Sequence, residues 1–167
     1  MATRIIVDSG SDISMEQEKA LDITVLALKI SFGDEEFLDG KDLNNIQFYE
    51  KLIESDTLPK TSQISPFEYE EIFDECLANG DEVICFTLSS ELSGCYQSAN
   101  IAADGKEGVY IIDTGNVAVA ERAMVEYAVR LRDEGLSTKE IVDKVNEKQP
   151  KLKILALLDT LRKRLML

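Results

Sequence analysis

Histidine and tryptophan are missing from this chain altogether, and cationic residues are scarce. Without an imidazole there is no Ser-His-Asp or Cys-His relay and no zinc site of the mixed Cys/His type. The three cysteines, Cys76, Cys85 and Cys95, form no CxxC pair, so a dithiol redox centre or a zinc knuckle has no basis. An odd set of cysteines reads as reduced thiols, and no apolar leader follows Met1, so a soluble cytoplasmic chain is expected. Lys and Arg number 18 against 32 Asp and Glu, a formal charge of −14. That balance opposes a nucleic-acid backbone as partner. No apolar run approaches the ~20 residues that span a bilayer. Phosphate loops of the GxxxxGK[ST] or GxGxxG kind are absent, so nucleotide binding has no motif. With 44% apolar residues in 167, the chain can still build one domain around a core.

What is present is a regular alternation. Short apolar, β-branched runs occupy residues 4–7 before Asp8, 82–86 before Thr87, 109–112 before Asp113 and 153–158 before Asp159. Continuous runs of this kind suit strands buried on both faces. Helical patterns separate them. Ser65-Pro66-Phe67-Glu68 is a capping box with proline at the first helical position, opening a helix to Asn79 that stops at Gly80. A second helix follows Gly94 through Tyr96, Ala99 and Ala103. A third covers about 117–134 and stops at Gly135. Ser137-Thr138-Lys139-Glu140 opens a fourth, to about Glu147. The alternation predicts a three-layer α/β domain, a mostly parallel sheet flanked by helices. Residues 23–60 interrupt it. A strand over 23–32, a turn at Gly33 to Glu36, a short return at Phe37-Leu38 and a helix over about 44–54 predict a small insertion against the sheet's edge. The basic end, Arg162-Lys163-Arg164, reads as a solvated tail.

In an open parallel sheet, ligands bind beyond the carboxyl ends of the strands. Those ends carry Asp8-Ser9-Gly10-Ser11, Thr87 to Ser90, Asp113-Thr114 and Asp159-Thr160, so hydroxyls dominate. The loop Ser89-Ser90-Glu91-Leu92-Ser93-Gly94 feeds a helix. Free N–H groups and hydroxyls there can hold a carboxylate or phosphate; equally, such serines simply cap helices. Ser65 is assigned to capping, which leaves Thr61 and Ser62 in the preceding loop open to a ligand. Cys95 stands at a helix start, where a thiol is either acidified or packed and inert. Asp8 and Asp12 lack the two-residue spacing of an aspartyl phosphatase, because Gly10 occupies the second position.

Several blocks, taken together, resemble the DegV family of bacterial lipid-binding proteins in order and spacing. They are Ile6-Val7-Asp8-Ser9-Gly10-Ser11-Asp12, Phe32-Gly33 with Asp39-Gly40, Leu58-Pro59-Lys60-Thr61-Ser62-Gln63, Leu88-Ser89-Ser90 through Leu92-Ser93-Gly94 to Tyr96-Gln97-Ser98-Ala99, and Leu158-Asp159-Thr160-Leu161. The resemblance covers nearly the whole chain. It implies a non-catalytic carrier of a long-chain fatty acid, with no cofactor and no metal. In the family the acyl chain lies in a buried tunnel, hydroxyls meet its carboxylate, and a separate ATP-dependent fatty acid kinase subunit phosphorylates that carboxylate for lipid synthesis. Carried onto this sequence, the fatty-acid-binding residues are Thr61, Ser62, Ser93, Gly94, Ser89, Ser90, Asp8 and Ser9. Thr61 and Ser93, each read as preceding a helix start, are expected to share the carboxylate, with the Gly94 N–H close by.

The sequence departs from the family pattern in places. Cys95 stands where threonine is usual and Ile64 where proline is common, and the stretch from Asp113 to Ala118 lacks a glycine-rich continuation. Family members run to about twice this length. Residues 1–167 are therefore read as the N-terminal domain alone. The absent half would hold a histidine at the carboxylate and much of the tunnel wall. Two other readings stay open. One is a binding-incompetent fragment that self-associates as a homo-oligomer through uncovered apolar surface. The other is an enzyme acting on a small phosphate or acyl substrate through Asp8.

Overall fold

Apolar residues on both faces commit the first run to the middle of a sheet: Ile5, Ile6 and Val7 are all buried. The computed structural model describes residues 2–153 and 155. Its elements are β1 (Thr3–Asp8), α1 (Met15–Leu21), β2 (Thr24–Leu26), β3 (Lys29–Phe32), β4 (Glu35–Leu38), α2 (Asn45–Glu54), β5 (Lys60–Ser62), α3 (Pro66–Ala78), β6 (Glu82–Thr87), α4 (Cys95–Ala103), β7 (Val109–Asp113), α5 (Val119–Asp133) and α6 (Thr138–Lys148). The main sheet has the order β2-β1-β6-β7, with every pairing parallel. Alternation along β1 and β6 divides the core. Ile5, Val7, Ile84 and Phe86 pack with Met124, Val125 and Ala128 of α5 and Ile141 and Val145 of α6. Ile6, Val83 and Cys85 pack on the other face with Tyr69 and Phe73 of α3 and Cys95 and Ala99 of α4. These are the three layers expected.

Ser65 and Ser137 both close the capping boxes read from the sequence. Two more boxes, Ser14 with Gln17 and Asn44 with Gln47, open α1 and α2; α1 is a helix the sequence reading missed. The run over residues 153–158, expected as a fourth strand, falls largely outside the described residues, as do Asp159 and Thr160. The described sheet reaches four strands through β2. The single strand expected over 23–32 is therefore two. β2 joins the parallel sheet at its edge, and after Ala27-Leu28 the chain leaves for a second sheet.

That second sheet is antiparallel, in the order β4-β3-β5. Gly33, at φ 59°, makes the two-residue turn between β3 and β4. Phe48 and Leu52 of α2 cover Ile30, Phe32 and Leu43. The insertion is thus real, but it begins after β2 and extends through β5. Thr61 and Ser62 lie on a strand, not in a loop before a helix, because Lys60–Ser62 pairs with β3 in the register Ile30 to Thr61.

Candidate functional site

The turn after β1 is built inward. Asp8 is fully buried, and its carboxylate accepts the Gly10 N–H at 2.9 Å and the Leu88 N–H at 2.8 Å. Burial pushes this carboxyl up to about 6, against the lowering pull of those two bonds. A side chain on Gly10 would put a Cβ 2.8 Å from Asp8 Oδ1, so the turn needs glycine. Asp8 therefore ties the β1 turn to the β6 loop and faces no solvent. The Ser9 hydroxyl accepts the Leu28 N–H at 3.0 Å, pinning the point where the chain passes to the small sheet. Asp8 and Ser9, both named from the family pattern, are framework residues of the loop. Ser9 also borders a separate groove of about 420 Å³ between the starts of α1 and α2.

The loop after β6 forms a tight turn. The Ser89 carbonyl accepts the Leu92 and Ser93 N–H groups, and its hydroxyl accepts the Glu91 N–H at 3.3 Å. The Ser90 N–H donates to Asp113 Oδ1 at 3.2 Å. Ser89 and Ser90 thus shape the loop without lining its concave side. What that side brings together is Thr61, Ser62, Ser93 and Gly94, with Leu28, Gln63, Leu88 and Leu92, around a cleft of about 210 Å³. Residues some thirty positions apart in sequence meet here because β5 and the start of α4 flank one opening.

The chemistry of this cleft is that of an anion receiver without charge. Gly94 is the N-cap of the nine-residue α4 and offers no side-chain cap of its own to that helix start. Its free N–H groups and dipole favour negative charge. Ser93 Oγ accepts the Cys95 N–H at 3.2 Å, which leaves its own proton to donate elsewhere. The capping and ligand readings of Ser93 are thus compatible. Thr61 and Ser62 project to opposite faces of β5, so a single ligand oxygen can be met by only one of these two hydroxyls. No lining residue is charged or a general base. The volume lies below the ~300–1,000 Å³ of drug-sized pockets, so the cleft has room for a small anionic group and not for a long apolar chain. Leu28, Leu88 and Leu92 give it an apolar wall.

Cys95 is buried, and burial raises its thiol, so the packed alternative holds and an acidified nucleophile does not. Among the described residues no group of three or more Asp, Glu or Cys is arranged to hold a metal ion. No helix among them is long and apolar enough to cross a membrane. One lining residue and one buried acid away from the cleft escaped the sequence reading. Gln63 entered only as a letter of a block, though it lines the cleft. Glu121 is fully buried on α5 with no partner for either oxygen among the described residues. Its signal was legible: it sits three and four residues before Met124 and Val125, on the core stripe of the helix.

Comparison with known proteins gives this arrangement its context. Residues 2–163 match the family model described as "Uncharacterised protein, DegV family". The chain belongs to the DegV family. It is similar to a DegV domain-containing protein of Caldanaerobacter subterraneus subsp. tengcongensis, at 36% identity over 159 residues, covering 94% of this chain and 56% of that protein. Among solved DegV-like structures, a fatty acid (stearic acid)-binding protein from Eubacterium ventriosum superposes with a TM-score of 0.80 at 29% identity, covering 87% of this chain and 52% of that one. The Streptococcus pneumoniae fatty acid kinase (Fak) B3 protein, solved loaded with linoleic acid, superposes with a TM-score of 0.74 at 25% identity over 90% of this chain and 55% of that one. The chain spans about half the length of the curated DegV relatives it matches.

Proposed function

We propose that this chain binds a long-chain fatty acid by its carboxylate in the cleft between β5 and α4, and presents that carboxylate to a fatty acid kinase partner. The observation that carries the reading is the meeting of Thr61 with Ser93 and Gly94 at the start of α4. Hydroxyl and N–H donors hold a carboxylate without forming an ion pair. A charged partner would bury one carboxylate oxygen in a strong bond, whereas these donors leave it open to phosphorylation from outside. The stearic acid-binding and linoleic acid-loaded relatives support a fatty acid as the ligand, and the latter supports a kinase partner. The acyl chain extends beyond the cleft, past Leu28, Leu88 and Leu92. An Asp8-dependent hydrolase is disfavoured, because that carboxylate is buried and held by two backbone N–H groups.

The test is titration of a fluorescently labelled long-chain fatty acid alongside thermal melting. A hydrogen bond to a charged group contributes roughly 1.5–3 kcal/mol. Ser93→Ala and Thr61→Val are each expected to weaken binding by about tenfold or more, with Thr61→Val leaving the melting temperature near that of the parent. Unchanged affinity in a destabilised Ser93→Ala protein leaves only the capping role, which costs about 0.5–2 kcal/mol. A second reading, self-association, draws on one side of α2, where Ile46, Tyr49 and Ile53 are 72%, 62% and 84% exposed. Sedimentation showing a monomer at all concentrations removes it.

A further inference from the structure

A strand of the small sheet, β5, and a helix packed on the parallel sheet, α4, form the cleft, and something must fix the distance between them. β5 is poorly suited to do so alone. It has three residues, all exposed, and its ladder runs to β3 only. The residue after it, Gln63, crosses to α4. Its Nε2 donates to Ser98 Oγ at 2.9 Å, and Ser98 is 1% exposed, so water offers that hydroxyl little alternative. The same carboxamide rests on Gly94. A Cβ on Gly94 would lie 1.8 Å from Gln63 Oε1 and 2.7 Å from Gln63 Cδ, an approach that only glycine permits. One residue further on, the Ile64 side chain is buried in the cluster that contains Cys95.

We infer that Gln63 is a positioning residue: its carboxamide latches β5 to the first turns of α4 and sets the spacing between the Thr61 and Ser93 hydroxyls. Gly94 then has two duties. It presents the helix N-terminus, and it leaves the space that the latch occupies. The functional consequence rests on the fatty-acid reading above, whereas the latch itself does not.

Gln63→Leu keeps the bulk of the side chain and cannot donate. It is expected to speed amide hydrogen exchange at residues 60–62. It is also expected to weaken binding of a fluorescently labelled hexadecanoic acid about tenfold, the size of one lost net hydrogen bond. Exchange in β6 and the melting temperature should stay at parental values. Ser98→Ala releases the same bond from the α4 side. It should reproduce the pattern, and the double variant should add nothing to either single one, as expected for one shared interaction. Parental exchange at residues 60–62 in both variants overturns the latch. Faster exchange with unchanged probe affinity overturns the positioning role. A uniform loss of protection extending through β6, with additive single effects, identifies a merely structural contact and also overturns it. If the parent protein fails to bind the probe, the fatty-acid reading falls, and exchange at residues 60–62 still decides the latch.

Discussion

The parallel sheet and the small antiparallel sheet meet at one cleft, yet different means hold them. The parallel sheet is covered on both faces by large apolar clusters from four helices. The small sheet has one cluster, in which Ile30, Phe32 and Leu43 are buried and a single helix, α2, supplies the cover. Part of its cohesion is electrostatic. Lys51 Nζ lies 2.7 Å from Glu35 and 5.8 and 5.0 Å from the ring centres of Phe32 and Phe37. Ser93 and Gly94 thus stand on the well-backed side, and Thr61 and Ser62 on the weaker one. Such a unit can open locally while the rest of the fold stays intact. A cleft divided in this way has one preset half and one that must be docked.

The largest effects test this division directly. Phe73 is fully buried beneath the parallel sheet, and Phe73→Ala is expected to cost about 3–5 kcal/mol of global stability. Phe32→Ala removes the same ring from the small sheet. Its expected signature is rapid amide exchange in β3 to β5, with the parallel sheet melting near its parental temperature. Circular dichroism melts combined with site-resolved exchange distinguish the two. Equal losses of global stability from both substitutions would make the molecule one cooperative unit and break the comparison.

A second test sharpens the parallel-sheet side. Burial, with Asp8, Asp12 and Asp113 nearby, pushes the Glu121 carboxyl up to about 10 from its ordinary 4.5, and burial pushes Asp8 up to about 6 from 3.8. Both groups keep a proton in the folded chain that the unfolded chain has released. Stability therefore falls as pH rises, from about 4 to 6 for Asp8 and from about 4.5 upward for Glu121. Glu68, Asp81, Glu140 and Glu147 are held low, so they act in the opposite sense and only in more acid solution. The melting temperature is expected to drop between roughly pH 5 and pH 8, and Glu121→Gln to flatten that slope and gain at least ~1 kcal/mol at the upper end. An unchanged slope would mean that Glu121 is not the neutral acid its burial requires.

The same division explains what could be read in advance. Strands β1, β6 and β7 were legible because burial on both faces leaves a continuous apolar signature at 4–7, 82–86 and 109–112. The capping boxes at Ser65 and Ser137 were legible because their chemistry is local. The break at Ala27-Leu28 was not, since β2 and β3 belong to different sheets and only tertiary pairing separates them. The pairing of Thr61 with Ser93 came from the family pattern, whereas the local reading put Thr61 on the wrong element, because a three-residue edge strand carries no periodicity of its own. Asp8 and Ser9 were drawn into the site by the family pattern. Their inward bonds to Leu88 and Leu28 join residues 80 and 19 positions apart, a relation no local pattern encodes.

The smallest effect concerns strain, and the two regions handle it differently. In the small sheet the left-handed positions fall on Gly33 and Gly40, at φ 59° and 71°. Beside the parallel sheet, Ala118 takes φ 55° and ψ −129° at the start of α5, where its N–H donates to the Gly10 carbonyl at 2.7 Å. This is the stretch that lacks the glycine-rich continuation expected from the family resemblance. A residue with a Cβ in that region of backbone space costs about 1–3 kcal/mol and persists only where its surroundings dictate it. The Gly10 bond and the packed start of α5 do so here. Ala118→Gly relieves the strain but gives the unfolded chain more freedom, which takes back about 0.4–1 kcal/mol. The expected net gain is therefore about 1 kcal/mol, seen as a higher urea midpoint with an unchanged slope. A neutral or lower midpoint would show that the parallel-sheet side carries no strain at Ala118. The contrast with Gly33 and Gly40 would then lie in the turns alone and not in how firmly each region holds its backbone.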